Sequence, residues 1–221
     1  MTGISAGKRS LLGVFGGTFD PVHRGHVAVA DALMGALPLS GIVFVPAARP
    51  PHRPAPCADA GHRLAMLRLA LSNDPRFAID ETEYQREGPS YMADTLAILR
   101  SRRAQPLALI LGADAVVGLP TWHRWRRILG LAHIIIVSRP GCGDRPPEWV
   151  RPHLVDSGGE LLGADCGRAL LFTASTRPES ATALRQALAT GAAPEAWLPP
   201  EVSAYIETHG LYRRSSCHDQ G

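Results

Sequence analysis

With 221 residues, 45% of them hydrophobic, the chain is long enough to bury the core of one α/β domain. A formal charge of +3, carried by arginines with Lys8 as the one lysine and with no basic stripe, argues against nucleic acid and suits a site that gathers phosphates. Four scattered cysteines without a C-x-x-C pair give no zinc or redox centre, and no apolar run reaches membrane-spanning length, so a cytoplasmic protein with reduced thiols is expected.

In chain order, short apolar runs at Leu11–Phe15, Ile42–Pro46, Phe77–Ile79, Leu107–Leu111, Ile134–Val137 and Leu170–Phe172 read as strands. Between them, Val27, Ala30, Leu33, Met34 and Leu37 share one helical face, as do Leu64, Leu67 and Leu71, and then Met92, Leu96 and Leu99. This alternation predicts a parallel sheet covered on both sides, with ligands at the carboxyl edge of the strands. Ala47–Ala60 is proline-rich and reads as a loop. Gly141–Gly167 has weak periodicity and is expected to make a surface excursion around Pro146–Trp149. The whole of 1–221 reads as a single domain, with flexible tails at 1–10 and 213–221.

The first strand runs into Gly16-Gly17-Thr18-Phe19-Asp20-Pro21-Val22-His23-Arg24-Gly25-His26. A strand-to-helix junction of this kind is suited to phosphate, because free N–H groups and the positive helix end point at it. Gly16 and Gly17 permit close backbone approach, Thr18 offers a hydroxyl, Pro21 stiffens the turn, and His23 and His26 can stabilise charge on a phosphoryl group. In the proline-rich loop, Arg53 of Pro50-Pro51-His52-Arg53 is a candidate triphosphate contact. In Glu83-x-x-Arg86-x-Gly-Pro-Ser-Tyr-Met92, Pro89 and Ser90 are expected to open a helix whose N–H groups near Tyr91 and Met92 could take a carboxylate. Asp114 stands just past the strand ending at Gly112, where an acid can bind a ribose hydroxyl or a basic partner. Trp122 offers a face for a heteroaromatic ring, with His123 beside it, while Trp125 reads as an anchor to the sheet. Arg139 follows the strand at Ile134–Val137 and could bind a phosphate or carboxylate. Ser180, Thr182 and Arg185 fall at the start of a late helix and together could cradle pyrophosphate.

Taken together, these segments resemble the bacterial nicotinate-nucleotide adenylyltransferase family. The H-x-G-H motif alone is shared with the wider nucleotidyltransferase superfamily, including pantetheine-phosphate adenylyltransferase. The combination with G-P-S-Y, L-G-A-D, P-T-W, S-R-P-G and S-x-T-x-x-R narrows the resemblance, which extends from Gly13 to Tyr212. It implies a Rossmann-like, doubly wound three-layer α/β/α fold. The implied reaction joins nicotinate mononucleotide to AMP from ATP, giving nicotinate adenine dinucleotide and pyrophosphate, with Mg2+ carried mainly by the ATP phosphates. His23, His26 and Arg185 would be catalytic. Gly16, Gly17, Thr18, Phe19, Arg53, Ser180 and Thr182 would hold ATP, and Tyr91, Met92, Asp114, Trp122, His123 and Arg139 the mononucleotide. The enzyme would act as monomer or homodimer. Three positions depart from the family pattern: Met92 and Arg53 replace common threonine and lysine, and Glu179 stands where an apolar residue is common. Two alternatives stay open at this point: a relative using another acceptor, nicotinamide mononucleotide or phosphopantetheine, and a nucleotide-binding regulator without turnover.

Overall fold

The structure is a computed structural model and describes residues 9–51, 55–138, 146–174, 180–192 and 195–213. In chain order the elements are β1 (Leu11–Gly17), α1 (Arg24–Ala36), β2 (Leu39–Pro46), α2 (Ala60–Leu71), β3 (Phe77–Ile79), α3 (Thr82–Gln85), α4 (Met92–Arg102) and β4 (Leu107–Gly112). They continue with α5 (Ala113–Gly118), α6 (Trp125–Leu129), β5 (Ala132–Ser138), β6 (Leu154–Val155), α7 (Gly158–Leu161), β7 (Ala169–Thr173), α8 (Ala181–Ala189) and α9 (Pro200–His209).

All the strand pairings are parallel, in the order β3-β2-β1-β4-β5-β7-β6. Because side chains alternate across a strand, each strand feeds two cores. Leu11, Ile42, Phe44, Ala108, Ile110, Ile135 and Leu170 face one layer with Ala30 and Leu33 of α1, Met66 and Leu67 of α2, Leu184 of α8 and Val202 and Ile206 of α9. Leu12, Val14, Val43, Val45, Leu107, Leu109, Ile134 and Ile136 face the other, with Leu96 and Leu99 of α4, Val116 of α5 and Ile128 of α6. This is the expected doubly wound, three-layer arrangement.

The chain leaves β1 for β2 and β3 on one side and returns to β4 on the other. That reversal opens a crevice at the carboxyl ends of β1 and β4, the switch point where ligands of open α/β sheets bind.

The six expected strands are present. None of Pro146–Trp149 is buried, in keeping with the expected excursion, but the 3-10 turn at 148–153 buries Val150 completely just beyond it, and β6 and α7 follow within the stretch read as weakly periodic. Burial of one valine and an edge-on Trp125–Trp149 contact at 5.1 Å hold this segment to the sheet, a long-range effect without local periodicity. Of the tails expected at 1–10 and 213–221, residues 1–8 and 214–221 lie outside the described residues, while Arg9 is held in place by donating to the Leu162 carbonyl at 2.6 Å and the Ala164 carbonyl at 3.2 Å.

Candidate active site

β1 ends in Gly16 and Gly17 at the crevice. A Cβ built at Gly16 would displace the flexible end of the Met92 side chain, and one at Gly17 would lie 2.9 Å from the buried Phe19 ring, so bare backbone is required at Gly17. Phe19 takes φ 50°, a left-handed conformation that costs a non-glycine residue about 1–3 kcal/mol. The twist buries its ring, which lies edge-on to His26 at 5.1 Å. Phe19, expected among the phosphate-binding residues, therefore places its side chain behind His26.

His23 is the N-cap of α1, and its ring lies 3.8 Å from that of His26. The His23 N–H donates to His26 Nδ1 at 3.3 Å, so a neutral His26 carries its proton on Nε2 and presents an N–H donor there. Burial, and then the neighbouring His23, hold the His26 imidazole well below its ordinary range. His26 thus sits at a helix N-terminus as a neutral donor suited to an anion, with the His23 ring stacked beside it.

Arg185 reaches this turn from the far end of the chain. Its Nη1 donates to the Asp20 carbonyl at 2.8 Å, and its Nη2 lies 3.3 Å from Thr182 Oγ1. Ser180 caps α8 by accepting the Ala183 N–H at 3.1 Å, so its hydroxyl already has a structural duty. His23, His26, Thr182 and Arg185 are therefore brought together around residues 16–26. Arg53 and Arg139, together with Glu179, lie outside the described residues.

The expected acceptor side forms around the start of α4. The helix begins at Met92 with Tyr91 as N-cap, two residues later than Ser90 predicted. Ser90 instead pairs with Arg49: its Oγ accepts the Arg49 N–H at 3.0 Å and its own N–H donates to the Arg49 carbonyl at 2.9 Å. Met92 spans to Gly16, closing α4 onto β1. The Tyr91 and His123 rings stack at 4.1 Å, which ties the α4 start to the turn after α5. Trp122 is half-buried against the core on that side, Trp125 packs on Trp149 as an anchor, and Asp114 is exposed in the first turn of α5.

Sequence reasoning missed three residues that build the site. Asp20 is buried, and its carboxylate accepts from the Cys57 N–H (2.8 Å), the Ala58 N–H (3.1 Å) and the Tyr212 hydroxyl (2.8 Å). Arg63, only 1% exposed, donates to the carbonyls of Thr18 (2.8 Å), Ala47 (2.7 Å), Ala48 (3.2 Å) and Ala58 (3.2 Å). One local signal existed for Arg63: a charge beside Leu64 on the apolar face of a predicted helix. Asp20 and Tyr212 find each other 192 residues apart, which nothing local announces.

A cytidylyltransferase-like family model matches residues 14–187. The chain is 42% identical over 214 residues to the "Probable nicotinate-nucleotide adenylyltransferase" of Dechloromonas aromatica, covering 92% of this chain and 98% of that protein. It is 40% identical over 206 residues to the protein of the same name from Acidithiobacillus ferrooxidans, covering 90% and 94%. Among solved structures, the Plasmodium falciparum nicotinic acid mononucleotide adenylyltransferase complexed with NaAD superposes with a TM-score of 0.70, covering 92% of this chain and 98% of its own. At 16% identity that last likeness is one of fold.

Proposed function

The chain belongs to the nicotinate-nucleotide adenylyltransferase family, and from that premise we propose that it transfers AMP from ATP to nicotinate mononucleotide in NAD biosynthesis. The products are nicotinate adenine dinucleotide and pyrophosphate; NaAD is the molecule bound by the Plasmodium neighbour. The observation that carries the reading is the convergence of His23, His26 and Arg185 on the turn after β1, beside the start of α4 at the sheet's switch point.

The mechanism we assign is a direct in-line displacement. A 5′-phosphate oxygen of the mononucleotide attacks the α-phosphorus of ATP, a new P–O bond forms, and the bond to the β-phosphate oxygen breaks to release pyrophosphate. The nucleophile is already an anion, so no general base is needed and catalysis rests on positioning and charge. In this reading the His26 Nε2–H donates to the α-phosphate, with His23 beside it. Gly16, Gly17 and Thr18 line the triphosphate, Arg185 and Thr182 hold the leaving pyrophosphate, and Arg53 and Ser180 complete that side. The nicotinate carboxylate meets the N–H groups near Tyr91 and Met92, its ring faces Trp122, and His123, Asp114 and Arg139 complete the acceptor side. Magnesium enters as the counterion of ATP: both oxygens of the buried Asp20 carboxylate are engaged by N–H and O–H donors, which suits a metal carried by phosphate and water. The reading further takes the protein as a cytoplasmic single domain, monomer or homodimer, acting on small nucleotides.

The test is magnesium-dependent pyrophosphate release from ATP, with nicotinate and nicotinamide mononucleotides compared. Release strongly favouring the acid is expected, because backbone N–H groups at a helix start recognise a carboxylate without needing the threonine hydroxyl that Met92 lacks. Equal rates would move the acceptor to both mononucleotides, and no release with either would overturn the reading.

A further inference from the structure

Three features meet at Asp20. Phe19 before it (φ 50°) and Tyr212 opposite it (φ 63°) are both held in the left-handed region, where a non-glycine backbone is strained. The Tyr212 hydroxyl donates to Asp20 Oδ1, and the ring is 1% exposed. Arg185 Nη1 takes the Asp20 carbonyl at 2.8 Å while standing 3.9 Å from the Asp20 Oδ2. Strain at Tyr212, and at the residue before its partner Asp20, persists only where surrounding contacts over-determine it, and such points cluster at working sites.

We propose that Tyr212 and Asp20 form a positioning pair through which the C-terminal segment sets Arg185 for the leaving pyrophosphate. The inference rests on the role given to Arg185 above. A buried carboxylate attracts a guanidinium strongly. Three donors on Asp20 (two backbone N–H groups and the tyrosine hydroxyl) disperse its charge, so Arg185 binds the carbonyl and does not collapse into a bidentate pair with the carboxylate. Without the hydroxyl, Oδ1 keeps only the Ala58 N–H at 3.1 Å, and Arg185 is drawn toward the carboxylate and away from phosphate. Tyr212 thus acts on the reaction through Arg185 and touches no reacting atom.

The experiment is a double-mutant cycle on full-length protein, with Tyr212→Phe, Arg185→Ala and the double variant assayed for pyrophosphate release and thermal stability. Tyr212→Phe should lower kcat/KM for ATP about 10-fold, as expected for a displaced charged group, and leave KM for the mononucleotide unchanged. In the Arg185→Ala background it should add less than about 2-fold, because contacts that act as one unit are not additive. Asp20→Asn removes the carboxylate that would draw Arg185 away, so in that background Tyr212→Phe should add less than about 2-fold; this second cycle carries no unshielded buried carboxylate and keeps the test decisive if Tyr212→Phe alone folds poorly. Full additivity in both cycles would make the pair merely structural and overturn the inference. A steep loss in Arg185→Ala with none in Tyr212→Phe would overturn the pairing and leave the function proposed above intact. No loss in Arg185→Ala would overturn both the role of Arg185 and the inference.

Discussion

At His26 the decisive quantity is the place of one proton. The His23 N–H occupies Nδ1, so Nε2 holds the hydrogen and the ring can donate without being charged. Burial lowers the His26 pKa, the neighbouring His23 lowers it further, and the positive end of α1 acts in the same sense. The free enzyme therefore carries a neutral His26 at and above pH 7, and kcat/KM for ATP, which reports free-enzyme ionisations, should stay flat from pH 7 to about 8.5. His26→Ala should keep its fold by circular dichroism and lose about 10²–10³ in kcat, the usual cost of a donor aimed at transition-state charge. A fall in kcat/KM on raising the pH through 7 would instead show that an imidazolium is required, and near-normal turnover in the folded variant would remove His26 from the chemistry. The motif made both histidines legible in the sequence. The tautomer was not, because it depends on which ring nitrogen faces a backbone N–H three residues back, and the folded turn decides that.

At the scale of elements, α2 contributes through a residue on its inner face. Its start is capped by Asp59, whose carboxylate accepts the His62 N–H at 2.8 Å, and that cap sets the register bringing Arg63 inward. Arg63 gathers carbonyls from the β1 turn and from the chain leaving β2, so one guanidinium fixes two backbone walls of the crevice. Arg63→Leu leaves those buried carbonyls without their donors and should cost on the order of 3 kcal/mol in chemical denaturation, with a raised KM for ATP. Arg63→Lys keeps the charge and loses the fork, so it should recover stability only in part. Equal stability of Arg63→Leu and the parent protein would show that water replaces the guanidinium. Helical periodicity placed α2 correctly in the sequence; the partners of Arg63 belong to turns that only packing brings together.

For the whole molecule, acid sensitivity follows from two histidines held neutral. His26 and His133 both have pKa values lowered by burial, so on acidification the unfolded chain takes up protons before the folded one. The stability they lend is complete above the ordinary imidazole value of about 6.5 and is lost as pH falls below it, by at most about 1.4 kcal/mol per pH unit for each. Thermal melting should therefore move to lower temperature between pH 7.5 and 5.5, a window in which ordinary carboxylates do not titrate; a flat Tm across it would contradict the assignment. By itself the sequence determined the alternation of strands and helices, the parallel sheet, and the family to which the H-x-G-H, G-P-S-Y and S-x-T-x-x-R segments belong, since periodicity and short motifs are local properties. Only the tertiary structure decided that Arg185 closes on the turn after β1, that Met92 bridges α4 to Gly16, that Val150 anchors the stretch read as weakly periodic, and that Tyr212 meets Asp20. Those contacts join residues far apart in the chain, and they are selected by burial and by the need to satisfy buried polar groups, which no local window of sequence contains.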